Sequence, residues 1–246
     1  MRDDQAQGLR KLFVRGAAPV CAIGGAGIES AVLAIAEAFA SAGDRVLLID
    51  RSRGAIAACA GKRARHELWH VLEGDVAIDD VLIAVRENLA LLPAARGIDL
   101  LAADPRDWRD TVAAMLGTRH APYDVWFVHG LPPSDAGCDA PLFTVTPSRA
   151  SVTQVYAQIK ALATAQGRRN FGIVVAGVHD DAAAATLFDG LAATARRFLG
   201  VELDYCGALP MNARGSVVAG SAIAALRMRI GAAFAAAREP SPRIAA

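Results

Sequence analysis

The turn Gly24-Gly-Ala-Gly-Ile-Glu-Ser30 has the residue types that allow a protein backbone to hold an anion. It follows the apolar run Pro19–Ile23 and precedes a helical pattern over Ala31–Ala42. Glycines at such a strand-to-helix turn direct backbone N–H groups, and the positive end of the helix, at a phosphate. A phosphate-binding loop also needs a lysine for the outer phosphates, but this turn has a carboxylate, Glu29. We therefore predict a relic nucleotide site, formed by Gly24, Gly25, Gly27, Ser30 and Asp50.

Apolar runs typical of buried strands alternate with amphipathic helical patterns along the chain. This alternation predicts an α/β fold with a doubly wound, mainly parallel sheet that is covered by helices on both faces. Ser30 and Ser151 are predicted helix N-caps, and Gly43 and Gly167 are predicted helix C-caps. The predicted strands are Pro19–Ile23, Arg45–Asp50, Asn88–Pro93, Asp124–His129, Leu142–Thr146, Phe171–Val178 and Tyr205–Leu209. The predicted helices are Ala31–Ala42, His66–Leu72, Arg106–Thr118, Ser151–Gln166, Ala182–Leu199 and Ser221–Arg238.

The composition gives no electrostatic reason to expect a nucleic-acid partner, because the formal net charge of the 246-residue chain is only +1. No window is apolar enough for a membrane-spanning helix, and the first residues, Met-Arg-Asp-Asp-Gln, contain no signal core. The cysteines are scattered without paired spacing, so we expect buried thiols in a reducing cytoplasm instead of disulfides or a zinc site. They are Cys21, Cys59, Cys138 and Cys206.

Several segments, taken in order, resemble the MinD/ParA class of P-loop ATPases, whose loop reads Lys-Gly-Gly-x-Gly-Lys-Thr/Ser. The first match runs from Cys21 to Gly54, and together the matches extend over nearly the whole chain. The resemblance implies the doubly wound P-loop fold and, for the family, ATP with Mg²⁺ as the cofactor. The other matching segments are Leu68–Asp80, Asn88–Gly97, Tyr123–Pro133, Thr144–Leu162 and Gly207–Asn212.

The same resemblance implies that the residues of ATP hydrolysis are missing from this chain. The family's signature lysine, phosphate lysine, water-positioning Asp and Walker B Asp all fall on other residue types. Of the acids at the strand ends, only Asp50 remains. We therefore predict a pseudo-ATPase with no catalytic residue, no metal site and no expected cofactor. The substituted positions are Ile23, Ile28 or Glu29, Ser52 and His129, and the adenine-reading Asn falls near Ala176 or Gly177.

The segment Asp4-Gln-Ala-Gln-Gly-Leu-Arg10 resembles the "DQAxxLR" segment of the FlhG/FleN family, MinD-type regulators of flagellar number and placement. In that family the segment binds FlhF, a signal-recognition-type GTPase, and stimulates its hydrolysis of GTP. The resemblance implies a partner-binding segment at residues 1–15. Its apolar residues have helical spacing, which a helix packed on its own domain would also show. The implied partner-binding residues are Asp4, Gln5, Ala6, Leu9 and Arg10.

These observations predict a cytoplasmic FlhG/FleN-like regulator, with the cell pole and the inner-membrane surface as candidate positions. An FlhF-like GTPase is the expected partner, and a flagellar transcription regulator or switch proteins are further candidates. We expect one α/β domain at residues 16–238 and a flexible tail at 239–246. Two other hypotheses stay open. One is an active MinD/ParA-type ATPase that uses noncanonical residues, and the other is a MinD-like interaction protein of cell-envelope or polysaccharide assembly.

The last helical pattern, Ser221–Arg238, has an apolar stripe formed by Ile223, Leu226, Ile230 and Phe234. Family members end in an amphipathic membrane-targeting helix. Here the apolar face is narrow and rich in alanine. We therefore expect a helix that completes the fold, with weak or no membrane association.

His66 and His70 have the i, i+4 spacing of two metal ligands on one helix face. The sequence offers no evident third ligand near them. We therefore predict a solvated or capping role for this pair.

Overall fold

The computed structural model describes residues 18–25, 27, 29–101, 108–117, 123–130, 138–210, 224 and 227–231. Within these residues the apolar runs form eight strands, and the amphipathic patterns form the helices between them. The strands are β1 (Val20–Gly24), β2 (Val46–Asp50), β3 (Ile83–Arg86), β4 (Leu89–Pro93), β5 (Val125–His129), β6 (Ala140–Val145), β7 (Asn170–Ala176) and β8 (Glu202–Leu209). The helices are α1 (Glu29–Ser41), α2 (Ala55–Cys59), α3 (Leu68–Leu72), α4 (Ile78–Val81), α5 (Ala95–Leu101), α6 (Trp108–Leu116), α7 (Arg149–Gln166) and α8 (Asp181–Leu199).

The eight strands form one sheet in the order β3-β4-β2-β5-β1-β6-β7-β8. All neighbouring strands are parallel except β3 and β4, which pair antiparallel at one side of the sheet. This arrangement confirms the predicted doubly wound, mainly parallel α/β fold. From β1 the chain runs outward to β2 and β4, and after β5 it runs the other way to β6, β7 and β8. Ligands of such sheets bind at the carboxyl ends of the strands where this direction reverses, and here that is the end of β1.

Helices cover both faces of the sheet, because strands that are apolar on both sides must be buried on both sides. On one face α1 packs against alternate strand residues such as Ile23, Leu48 and Phe127. On the other face α3, α5 and α6 cover the half around β2 and β5, and α7 and α8 cover the half around β6 and β7.

The described part of the last helix, residues 227–231, packs on the domain. Ile230 is only 2% exposed and belongs to the same core as α1. The Arg227 guanidinium donates to the Asp44 carboxylate, with Nε 3.1 Å from Oδ2. For these residues the prediction of a helix that completes the fold is confirmed. In the described part of the chain, no helix is both long and apolar enough to cross a membrane.

Both predicted N-caps are wrong, whereas both predicted C-cap glycines follow their helices with a positive φ, which is 94° at Gly43. Helix α1 already begins at Glu29, so Ser30 lies inside its first turn and does not precede it. The N-cap of α7 is Ser148, whose Oγ accepts a hydrogen bond from Ser151 N at 3.2 Å. Gly167 ends α7 in a left-handed conformation, with φ of 64°, as predicted. The predicted limits of the domain, at residues 16 and 238, and the segments 1–15 and 239–246 lie outside the described residues.

The cysteines Cys21, Cys138 and Cys206 are buried and free, as predicted, whereas Cys59 is exposed at the end of α2. The expectation of a buried thiol is therefore wrong for Cys59. Burial raises the pKa of Cys138 and of Cys206 to about 11. These two thiols are protonated at neutral pH and serve as small apolar side chains.

Candidate functional site

The glycine loop joins the central strand β1 to the N-terminus of α1, as the sequence predicts. Gly24 has no room for a side chain, because a Cβ atom there would lie 2.5 Å from a ring carbon of Phe143. Gly25 and Gly27 have φ values of 132° and 63°, in a region that residues with a side chain enter only at a cost. The backbone conformation of the loop alone therefore explains why these positions are glycine. Whether the loop binds a ligand has to be judged from the side chains around it.

Asp50, at the end of β2, is 1% exposed and is only half satisfied by hydrogen bonds. Its Oδ1 atom accepts from Ser52 N at 2.6 Å and also from the Ser52 hydroxyl. The Ser52 Oγ atom accepts in turn from Ile56 N at 3.0 Å, in the first turn of α2. The Asp50 Oδ2 atom is buried and has no partner in the described part of the chain. Ser52, which takes the position of the family's water-positioning acid, thus links β2 to α2.

His129 ends β5, next to Asp50 in the sheet, because Val128 pairs with Ile49 of β2. Burial lowers the pKa of the His129 imidazole, and the carboxylates of Asp50 and Glu29 partly oppose this effect. The Nδ1 atom of His129 is buried without a hydrogen-bond partner among the described residues. A neutral imidazole replaces a carboxylate here, and Mg²⁺ prefers oxygen ligands.

Arg51 links the ends of β2 and β5 to α5, a role that was not predicted from the sequence. Its guanidinium donates to the Gly130 carbonyl, just after β5, and to the Asp99 carboxylate on α5. The Arg51 side chain is only 12% exposed. The two acceptors come from distant parts of the chain, so no local pattern around Arg51 predicts these contacts.

Unpaired polar atoms are concentrated at the carboxyl edge of the sheet. The Oε1 atom of Gln158, on α7, lies 3.1 Å from the Cβ position that Gly24 lacks. A buried polar group without a partner costs about 1–3 kcal/mol, so a concentration of them marks a place where a ligand or water supplies the missing partners. The buried side-chain atoms that lack a partner within the described ranges are Asp50 Oδ2, Arg51 Nε, His129 Nδ1, Thr144 Oγ1 and Gln158 Oε1.

The side chains of this edge are a poor match to ATP with Mg²⁺. The loop supplies backbone N–H groups, but Glu29 and Asp50 place two carboxylates beside it, and the turn Gly24–Ser30 contains no lysine. A carboxylate about 4 Å from a phosphate charge costs on the order of 4 kcal/mol near a protein surface. The chain therefore retains the scaffold of a nucleotide site without its charges.

The fold assembles all the predicted members of the relic site at one edge of the sheet. The three glycines form the loop, Ser30 lies in the first turn of α1, and Asp50 ends β2 on the other side of β5. The predicted partner-binding residues lie outside the described residues, so their contacts stay predictions. They are Asp4, Gln5, Ala6, Leu9 and Arg10.

Of the His66–His70 pair, His70 has the capping role that the sequence predicts as one alternative. The two rings meet edge to face, with centroids 5.4 Å apart. The His70 Nδ1 atom accepts from Glu67 N at 3.1 Å and so caps the start of α3. The described residues contain no group of three or more side chains that could hold a metal ion.

The sequence of this chain is similar to that of a known antiactivator. No protein-family model matches the chain. The antiactivator FleN of Pseudomonas aeruginosa is 26% identical over 205 residues, which cover 77% of this chain and 71% of FleN.

Solved structures agree on the fold. The cell-division protein MinD of Aquifex aeolicus superposes with a TM-score of 0.61 at 22% identity, covering 87% of this chain and 97% of MinD. A putative plasmid partition protein of Borrelia burgdorferi, solved with AMPPNP bound, gives a TM-score of 0.60 at 16% identity, covering 90% and 99% of the two chains. The comparisons agree with one another: this chain has the fold of MinD and of the plasmid partition protein, and its sequence is similar to that of the antiactivator FleN.

Proposed function

We propose that this chain is a regulator of flagellar number and placement that binds and activates an FlhF-like GTPase and does not hydrolyse ATP itself. The observation that carries the proposal is the residue set at the carboxyl edge of β1, β2 and β5. There the glycine loop of the fold is kept, while Glu29, Ser52 and His129 stand at the positions of ATP chemistry.

The charges at this edge support the absence of ATP hydrolysis. Phosphoryl transfer needs a cation on the outer phosphates, Mg²⁺ held by oxygen ligands and a group that orients the attacking water. Glu29 brings a negative charge to the loop, and the hydroxyl of Ser52 is already engaged with Asp50 and Ile56. His129 offers a buried imidazole whose pKa is lowered by burial, so it is neutral at physiological pH.

The similarity to an antiactivator supports a regulatory role. The segment Asp4–Arg10 supports the choice of partner, because it carries the glutamine and the apolar stripe of the FlhG/FleN segment. A glutamine side chain can position an attacking water in a partner's site while the helix around it orders that site. A flagellar transcription regulator and the switch proteins are further candidate partners, and the cytoplasm near the cell pole or inner membrane is the proposed location.

The test is GTP turnover by the FlhF-like GTPase of the same organism, with and without the full-length chain. We expect stimulation by the native chain. Gln5→Ala should lower stimulation more than binding, because the glutamine acts on the reaction. Leu9→Asp should abolish binding, because it places a charge in the apolar stripe. Gln7→Ala is the matched control: it removes a glutamine from a position where the family segment varies, and it should leave stimulation unchanged.

Three outcomes would count against the proposal. If deletion of Met1–Arg10 leaves stimulation unchanged or unfolds the domain, the segment is structural. ATP turnover by the native chain would favour the hypothesis of an active ATPase. If the chain folds but binds no FlhF-like GTPase, the hypothesis of an interaction protein in envelope or polysaccharide assembly becomes the better one.

A further inference from the structure

The segment 51–66 is the most basic part of the described chain. It carries five lysines and arginines and no aspartate or glutamate. Because the whole chain has 26 basic and 25 acidic residues, the rest of it has an acidic excess. Of the five cations, only Arg51 belongs to the edge described above. The others are Arg53, Lys62, Arg63 and Arg65.

Two of these arginines and a third arginine from elsewhere in the chain line the same pocket, which has a volume of about 460 Å³. The pocket lies beyond the carboxyl ends of β2 and β4, on the side of β2 that faces away from β1. Arg53 and Arg65 come from the basic segment, and Arg96 comes from the first turn of α5. This site is therefore distinct from the glycine loop.

The three guanidinium groups are available to a ligand. The Arg96 guanidinium lies 4.5 Å from the ring centroid of Trp69. This cation–π contact needs no N–H hydrogen bond, so the N–H groups of Arg96 can still donate to a ligand. Within the described part of the chain, the side chains of Arg53, Arg65 and Arg96 make no hydrogen bond and no ion pair. All three residues are exposed at the rim of the pocket.

Two carboxylates also line the pocket, and in the described part of the chain neither forms an ion pair with the three arginines. Glu67 Oε2 accepts from the backbone N–H of Arg96 at 3.1 Å, so it fixes the start of α5. Asp50 lies at the inner end with its unpaired Oδ2 atom. A complementary ligand thus places its negative charges against the exposed arginines and a hydroxyl or amino group against Asp50, because a phosphate beside Asp50 would meet the same repulsion as in the glycine loop.

We propose that this pocket binds a small molecule that carries a diphosphate group. Three planar guanidinium groups around one concave site suit the oxygens of two linked phosphates, because arginine binds phosphate with pairs of parallel hydrogen bonds. The volume lies in the range of small-molecule sites, which favours a compact ligand over nucleic acid or a membrane surface. Diphosphate binding at this pocket is independent of the proposed action on a GTPase.

The test is a calorimetric titration of the full-length chain with pyrophosphate and with orthophosphate at equal ionic strength and without Mg²⁺. We expect one pyrophosphate per chain, weaker binding of orthophosphate, and an affinity that falls as salt is added. The variant Arg53→Ala/Arg65→Ala should lose about tenfold in affinity per arginine. The matched control is Lys62→Ala/Arg63→Ala, which removes the same charge from the same segment outside the pocket, and we expect a change of less than about threefold.

Several results would overturn the proposal. Absence of pyrophosphate binding is one, and equal loss in the two double variants is another, since equal loss indicates a diffuse basic surface. If Gly27→Val removes binding as fully as the pocket variant does, the ion lies in the glycine loop. Stronger binding of duplex DNA or anionic vesicles, lost equally in both double variants, would assign the basic segment to a macromolecule. Thermal unfolding of each variant checks that it is folded.

Discussion

The two ends of the parallel strands differ in how well their polar groups are satisfied. At the amino edge, where the strands begin, the Asp139 carboxylate accepts a hydrogen bond from Val20 N at 2.7 Å. At the carboxyl edge, where the strands end, the Asp50 Oδ2 atom is buried without a partner in the described residues. Around this contact, no described residue of the amino edge has a buried side-chain polar atom without a partner. Arg168 donates to the carbonyls of Cys138 and Asp139 at 2.7 and 3.0 Å. One strand, β1, begins at the satisfied edge and ends at the unsatisfied one.

This difference in hydrogen bonding suggests that the amino edge stabilises the fold and that the carboxyl edge binds a ligand or partner. Hydrogen bonds at the amino edge fix the register of β1 against its neighbours and contribute to folding. Unpaired groups at the carboxyl edge lower stability, and a protein keeps such groups where a ligand or partner acts. We therefore propose that the carboxyl edge is the functional edge, although the carboxylates of Glu29 and Asp50 would repel a phosphate there.

The largest expected effect is restored ATP binding at the carboxyl edge. Replacing Ile28→Lys together with Glu29→Thr supplies the missing cation and removes the carboxylate. Removal of one charge repulsion of this size corresponds to roughly a thousandfold in affinity. Calorimetry with MgATP should show no micromolar affinity for the native chain and a clear gain for the variant. Glu37→Thr, on the same helix but away from the loop, is the control and should have no effect.

At the amino edge, Asp139→Ala should destabilise the fold by about 1–3 kcal/mol, because it leaves the buried Val20 N–H without an acceptor. Asp139→Asn keeps an oxygen for that N–H and should lose less. Chemical denaturation of the two variants measures the difference. Equal loss in both would assign the effect to the charge of Asp139 and not to the hydrogen bond.

At the carboxyl edge, Asp50→Asn should leave the free energy of unfolding within about 1 kcal/mol of the native value, or raise it. The variant keeps an acceptor for Ser52 and removes a buried negative charge that has an unpaired oxygen. The same denaturation experiment applies. A loss as large as that of Asp139→Ala would show that the two edges do not differ in the way described.

The smallest effect concerns pH. Because burial lowers the pKa of His129, the unfolded chain takes up a proton at a higher pH than the folded chain does. This residue's contribution to stability is present above the ordinary histidine pKa and is lost as the pH falls below it. From neutral pH to about pH 5, native stability should fall more steeply than that of His129→Gln. An identical pH dependence in the two proteins would contradict the assignment.

The parallel strands were predictable because each is a run of buried apolar residues, and all seven predicted strands are present. The missed strand, β3, has only four residues and alternates between half-buried and exposed positions. The missed helices α2, α4 and α5 are too short to show a period. Ser151 was predicted as a cap from residue type alone, but Ser148 occupies the cap because α7 begins at Arg149, two residues before the predicted start.

The candidate site was predictable only where its residues are close in sequence. The glycine loop, and Asp50 at the end of an apolar run, carry local signals. Arg51 has none, because its importance comes from Gly130 and Asp99, which the fold brings to it. The arginine pocket shows the same limit. The basic segment is visible in the sequence, but only the fold places Arg96 opposite it.

The central claim is that the carboxyl edge keeps the scaffold of a nucleotide site without its chemistry. Phosphate release from ATP in the presence of Mg²⁺, measured with the purified full-length chain, tests it most directly. We expect no release above a buffer control. Release that is abolished by Asp50→Asn would contradict the account, because it would show that the strand-end carboxylate still serves ATP hydrolysis.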